Sequence, residues 1–104
     1  MKEIAADIIK KELNQAGITI EKIILYGSRV RGDFKQDSDW DFFVIIDKDL
    51  DFNQKWKIIK SIKRKLAMQK IPNDIILNSQ SQVERYKNDV GRITYYAMKE
   101  GIAI

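Results

Sequence analysis

The sequence contains no cysteine and no histidine. The first absence excludes disulfides and thiolate metal sites. The second removes zinc–imidazole centres and the histidine general base. Any metal held here must sit on oxygen, and any base must be a carboxylate or water. Long apolar runs are missing too. The longest, Phe42 to Ile46, falls far short of the ~20 residues needed to span a bilayer. Met1-Lys2-Glu3 leads into an amphipathic pattern without the apolar core of a signal peptide. A cytoplasmic chain with no membrane contact is expected. Neither a P-loop nor a G-x-G-x-x-G turn occurs, which removes the common ATPase and dinucleotide readings.

Charge of a single sign is lacking as well: 19 basic against 15 acidic residues leave a formal +4. That excess permits contact with polyphosphate or nucleic acid without demanding it. With 44% hydrophobic and 33% charged residues the balance is that of a folded chain. At 104 residues, one domain spanning 1–104 with one modest core is expected.

In chain order, Ile4, Ala5, Ile8, Ile9, Leu13 and Ala16 recur at helical steps and predict a helix over 2–16, stopped by Gly17. Ile23 to Tyr26 is apolar on both faces, which suits a central strand over 22–27. A polar loop over 28–38, with a helical turn near 29–32, precedes a second strand over 40–47. Asp47, Asp49 and Asp51 read as turn and start residues of a long helix over 53–70, striped by Trp56, Ile59, Ile62 and Leu66. Pro72-Asn73 breaks that pattern before a third strand over 74–78. Ser79 or Ser81 caps a short helix over 81–88, with Glu84 in capping-box spacing from Ser81. A last helix over 90–100 places Ile93, Tyr96 and Ala97 inward and ends at Gly101, and Ile102 to Ile104 forms an edge strand.

Chemistry concentrates between Ile23 and Asp47. Side chains alternate along a strand, so Asp39 and Asp41 project together while Trp40 points the other way. Two carboxylates brought close repel unless a cation lies between them. On a sparse oxygen site that cation is a hard divalent ion such as Mg²⁺. The nearby Gly27-Ser28 turn offers backbone N–H groups and a hydroxyl to a phosphate. Metal and phosphate together point to nucleotide chemistry.

Asp74 heads an otherwise apolar strand, where a carboxylate without a partner is costly. If that strand lies beside the second, Asp74 joins Asp39 and Asp41, and three carboxylates can supply two divalent ions. Spacing alone leaves this reading and that of a plain strand-end residue equally open.

Gly27-Ser28, ten intervening residues, then Asp39-x-Asp41 resembles the signature of the polymerase-beta-like nucleotidyltransferase superfamily. The Gly-Ser-Arg-x-Arg-Gly form at 27–32 and Asp74 after the long helix resemble its minimal branch, the MNT proteins, often paired as antitoxins with HEPN toxins. The resemblance covers nearly the whole chain. It implies an α/β core, a small mixed sheet of three to four strands flanked by helices, that binds Mg²⁺–ATP and transfers AMP. Carried over by position, it implies Gly27 and Ser28 on the triphosphate, Asp39 and Asp41 on metal, and Asp74 as the third acidic residue, a metal ligand and assisting base. The implied cofactors are two Mg²⁺ ions, with ATP as substrate. The implied partner and acceptor is a HEPN toxin, whose tyrosine hydroxyl would be modified, in a hetero-oligomer or beside a homo-oligomer.

Arg29 and Arg31 flank the phosphate turn and could grip phosphates bidentately, or lie on the surface as ordinary arginines. Arg31-Gly32-Asp33 is a coincidental adhesion tripeptide in a cytoplasmic loop. The lysines of 53–70 spread around their helix, as on a solvated face, so no direct nucleic-acid contact is expected. Tyr86, Tyr95 and Tyr96 could stack on adenine, though helical spacing favours packing. Two rival functions remain: a small-molecule, aminoglycoside-type nucleotidyltransferase, and a non-catalytic docking antitoxin. With nothing after Ile104 to serve as lid or acceptor domain, the acceptor is expected on another chain.

Overall fold

A computed structural model describes residues 1–104 in the order α1 (Lys2–Gln15), β1 (Ile20–Tyr26), α2 (Ser28–Arg31), β2 (Trp40–Ile46), α3 (Phe52–Met68), β3 (Asn73–Ser79), α4 (Gln80–Tyr86), α5 (Ile93–Glu100) and β4 (Ile102–Ala103). The four strands form one mixed sheet in the order β3-β2-β1-β4. β1 pairs antiparallel with β2 and β4, while β2 and β3 run parallel. A parallel pair needs a crossover connection, and α3 supplies it.

Alternation along the strands divides the core into two layers. Ile23, Leu25, Phe42, Val44, Ile46, Ile75 and Leu77 face α1 and α3, meeting Ala5, Ile9, Leu13, Ile62 and Leu66. Ile24, Tyr26, Phe43 and Ile45 face the other way and meet Val83 of α4 and Ala97 of α5. The expected central position of β1 and the edge strand at the C-terminus both hold, and β2 is the other central strand.

Several local details differ from the sequence reading, each for a physical reason. Trp56 is 57% exposed, not part of the apolar stripe. It stands six residues from Ile62, roughly a third of a turn off the buried line at about 3.6 residues per turn. Ile93 and Tyr96 are exposed as well; Ala97 is buried as expected, and Thr94 joins it inside. A side chain at Gly101 would strike Ile24 and the backbone of Leu25, so the end of α5 lies too close to β1 for large residues. That helix begins at Ile93 and not at 90, because Asp89 to Arg92 closes a turn: Arg92 N–H donates to Asp89 O at 2.9 Å.

Ser79, not Ser81, caps α4, and Gln82, not Glu84, reciprocates. The Ser79 N–H donates to Gln82 Oε1 at 2.9 Å and the Gln82 N–H to Ser79 Oγ at 3.3 Å. Asp51 caps α3 in the same manner with Gln54, consistent with the start-residue reading of the aspartates.

Candidate functional site at the end of the sheet

β1 stops at Tyr26 because Gly27 leaves the strand with φ 81° and ψ −154°, a region open essentially to glycine alone. The chain turns at once into α2, where the Val30 and Arg31 N–H groups both donate to Gly27 O at 3.1 Å. The Ser28 and Arg29 N–H groups open this short turn and have no acceptor within it. Ser28 is half-buried beside them.

The same end of the sheet carries the carboxylates. Tyr26 faces Asp41 across the antiparallel pair, and Asp41 faces Asp74 across the parallel one. Tyr26, Asp41 and Asp74 therefore stand in one row on one face. The structure thus brings β3 beside β2, as the Asp74 reading required. Asp39 precedes β2, exposed, at the end of the ladder where the Trp40 N–H donates to Pro72 O at 2.8 Å. The Asp41 carboxylate packs into the space left by the missing side chain of Gly27.

Cations relieve the row only in part. Burial, then Asp74, then Asp39 push the Asp41 carboxyl above the ordinary carboxylate range, with Arg31 opposing. The Tyr26 phenol is pushed up by burial, then by Asp41 and Asp74. Asp74 has Lys63 Nζ at 3.7 Å, beyond hydrogen-bonding distance.

These observations bear on whether a metal fits. All the donors are oxygens, which suits a hard divalent ion, and the repulsion felt by Asp41 is of the kind that such an ion relieves. The donor set fits. The three carboxylates do not, however, converge closely enough in this structure to hold a single ion.

The two arginines are placed differently from one another. Arg29 does not turn back to Gly27 and Ser28. Its guanidinium lies 4.5 Å from the ring centres of both Phe34 and Trp40 and donates to Gln36 O at 3.2 Å and Ser38 O at 2.9 Å. It clamps the loop between α2 and β2, since its flat cation can stack and bond at once. Arg31 is exposed, bonded to Glu100 at 3.1 Å and beside Asp33 at 3.4 Å, and it is the one cation acting on Asp41. Of the tyrosines considered for adenine, Tyr86 lies under Arg92 at 3.9 Å and Tyr95 packs edge-on to Tyr96.

Sequence reasoning missed Tyr26 and Lys63. Tyr26 was available as the last residue before the glycine turn, where an antiparallel partner brings it opposite Asp41. Lys63 reaches Asp74 around the sheet edge, which helical periodicity does not reveal. The hollow between α1 and α3, about 410 Å³, is lined by residues such as Glu12, Lys48 and Ser61 and contains none of the acidic row.

A family model described as "Polymerase beta, Nucleotidyltransferase" matches residues 7–104. Among solved structures, a toxin-antitoxin with AMP-PNP is 18% identical, with a TM-score of 0.61 over 93% of this chain and 69% of that one. A mutant of the toxin-antitoxin MntA-HpeT is 15% identical, with a TM-score of 0.58 over 93% of this chain and 69% of that one. A suspected nucleotidyltransferase is 24% identical, with a TM-score of 0.61 over 100% of this chain and 96% of that one. At these identities the likeness is one of fold. No curated protein matches the sequence.

Proposed function

We propose that this chain, which belongs to the polymerase beta nucleotidyltransferase family, transfers AMP from ATP to a tyrosine hydroxyl of a partner HEPN toxin and so acts as its antitoxin. The observation that carries the chemistry is the register of Asp41 with Asp74 on neighbouring parallel strands, beside the Gly27-Ser28 turn. The antitoxin reading is supported by two structural neighbours being toxin-antitoxin complexes, one of them with AMP-PNP.

In this reading Gly27 and Ser28 receive the triphosphate, the backbone N–H groups and the hydroxyl offsetting charge that builds on the leaving pyrophosphate. Asp39 and Asp41 hold one Mg²⁺, and Asp74 shares in holding a second. Bound there, the ions supply charge neutralisation and a lowered pKa for the attacking hydroxyl. That hydroxyl oxygen attacks the α-phosphorus in line, the bond to the β-phosphate oxygen breaks, and pyrophosphate departs. Asp74 accepts the hydroxyl proton, the only kind of side-chain base a histidine-free site offers. Arg31 approaches the phosphates, and Arg29 acts at a distance by holding the loop that ends in Asp39. The chain works as one domain, in the cytoplasm where ATP is supplied.

The reading of a partner as acceptor rests on geometry too. Asp39 and Asp74 are exposed at the open end of the sheet, so the acceptor approaches without entering a cavity. AMP added near a ribonuclease site would set an anion where RNA phosphates bind. Mass spectrometry of the partner, co-expressed from the neighbouring reading frame, tests this: AMP should be present with the wild type and absent with Asp39→Asn. A partner unmodified yet still neutralised by Asp39→Asn would make this chain a docking antitoxin.

A further inference from the structure

We propose that Tyr26 is a positioning residue of the acidic row, its hydroxyl donating to a carboxylate of Asp41 or Asp74 when a divalent ion draws them inward. The inference rests on the metal site of the reading above.

Tyr26 is 5% exposed, and its hydroxyl is buried with no hydrogen-bond partner. Buried phenols ordinarily satisfy that hydroxyl, because leaving it unmade forfeits the bonds water would give. The ring has reasons of its own to be buried, packing edge-on to Phe43 at 6.5 Å between centres. A phenylalanine would serve that packing equally well, so the hydroxyl needs a separate account.

Its surroundings supply one. Asp41 is its cross-strand partner and Asp74 comes next in the row, and both act on the phenol. Two acceptor-rich groups thus lie near a donor that bonds to neither. A phenol beside carboxylates is the hydrogen-bond donor of the pair. It can therefore only donate to them. A carboxylate engaged with an ion would still offer an oxygen to the phenol, and the hydroxyl donated to it would fix its orientation. Outer partners of this kind matter to metal ligands by about 10–100-fold in affinity.

The test compares wild type and Tyr26→Phe using Mn²⁺ as the probe for the divalent site, by calorimetric titration and by the ligand-free melt. The expected result is at least about tenfold weaker Mn²⁺ binding, with a ligand-free melting temperature equal to or above that of wild type. Turnover of the variant should recover at high Mg²⁺, which a merely damaged fold would not allow. Equal Mn²⁺ affinity in the two proteins would overturn the role of Tyr26 and leave the metal site standing. A lower ligand-free melting temperature would also overturn it, since the hydroxyl would then have a partner in the resting fold. Wild type that binds no Mn²⁺ would remove the metal site, and this inference with it.

Discussion

The carboxylate of Asp41 fills the space that a side chain on residue 27 would occupy, so Gly27 and Asp41 are packed as a pair. The glycine serves two ends there: it adopts φ 81° and it admits the carboxylate. Gly27→Ala is expected to lose about 1–3 kcal/mol from backbone strain alone, and further stability from displacing Asp41. Denaturant midpoints would register the loss, and an unchanged midpoint would contradict the packing described.

Asp41 itself destabilises the resting fold. Its folded-state carboxyl is raised, chiefly by burial and then by Asp74 and Asp39. Between the unfolded and folded pKa values the folded chain holds more protons than the unfolded one, so its stability falls as pH rises through that window. Asp41→Asn should therefore melt above wild type at neutral pH, with the gain fading as pH drops below the ordinary carboxylate range. Transfer activity should vanish in the same variant.

Glu12 behaves in the opposite sense. Its carboxyl is lowered, first by the hydrogen bond from Lys65 and then by that from Ser61, which ties α1 to α3. Stability from a lowered carboxyl is present above the unfolded pKa and lost as pH falls through the folded one. Glu12→Gln should cost up to about 1 kcal/mol at neutral pH, because Lys65 is half exposed and the pair is screened by solvent, and little in acid. Melts of the two variants across pH should thus diverge at neutrality with opposite signs.

Arg29 separates two roles cleanly. As the clamp of the loop it should not tolerate lysine, whose ammonium cannot stack as a plane between Phe34 and Trp40 while donating to Gln36 and Ser38. Arg29→Lys should cost up to about 2 kcal/mol and speed proteolysis between 32 and 39. Weakened ATP binding with an unchanged digestion pattern would return Arg29 to the phosphates.

Much of this was legible in the sequence because it depends on local pattern. Apolar runs at 23–26 and 42–46, the helical steps of 4–13 and the break at Pro72 each determine an element whatever lies beside it. The approach of Asp74 to Asp41 was legible only conditionally, since strand order is a tertiary fact. Side-chain direction on the helices was the least legible. Trp56 is as apolar as Ile62, yet what each meets is decided by where α3 crosses the sheet. Ser79 and Ser81 both suit a cap, and the end of β3 at Ser79 selects the first. The stacking of Arg29 between Phe34 and Trp40 joins residues that no periodicity relates.

On the proposed chemistry, the Gly27-Ser28 turn and the acidic row move a nucleotidyl group and not a terminal phosphate. ATP labelled at the α-phosphate and, separately, at the γ-phosphate should be given to the chain with Mg²⁺ and its co-encoded partner. Label should reach the partner from the α position only, with pyrophosphate released, and none should arrive with Asp41→Asn. Label arriving from the γ position, or none from either with a folded and nucleotide-bound protein, would contradict that chemistry.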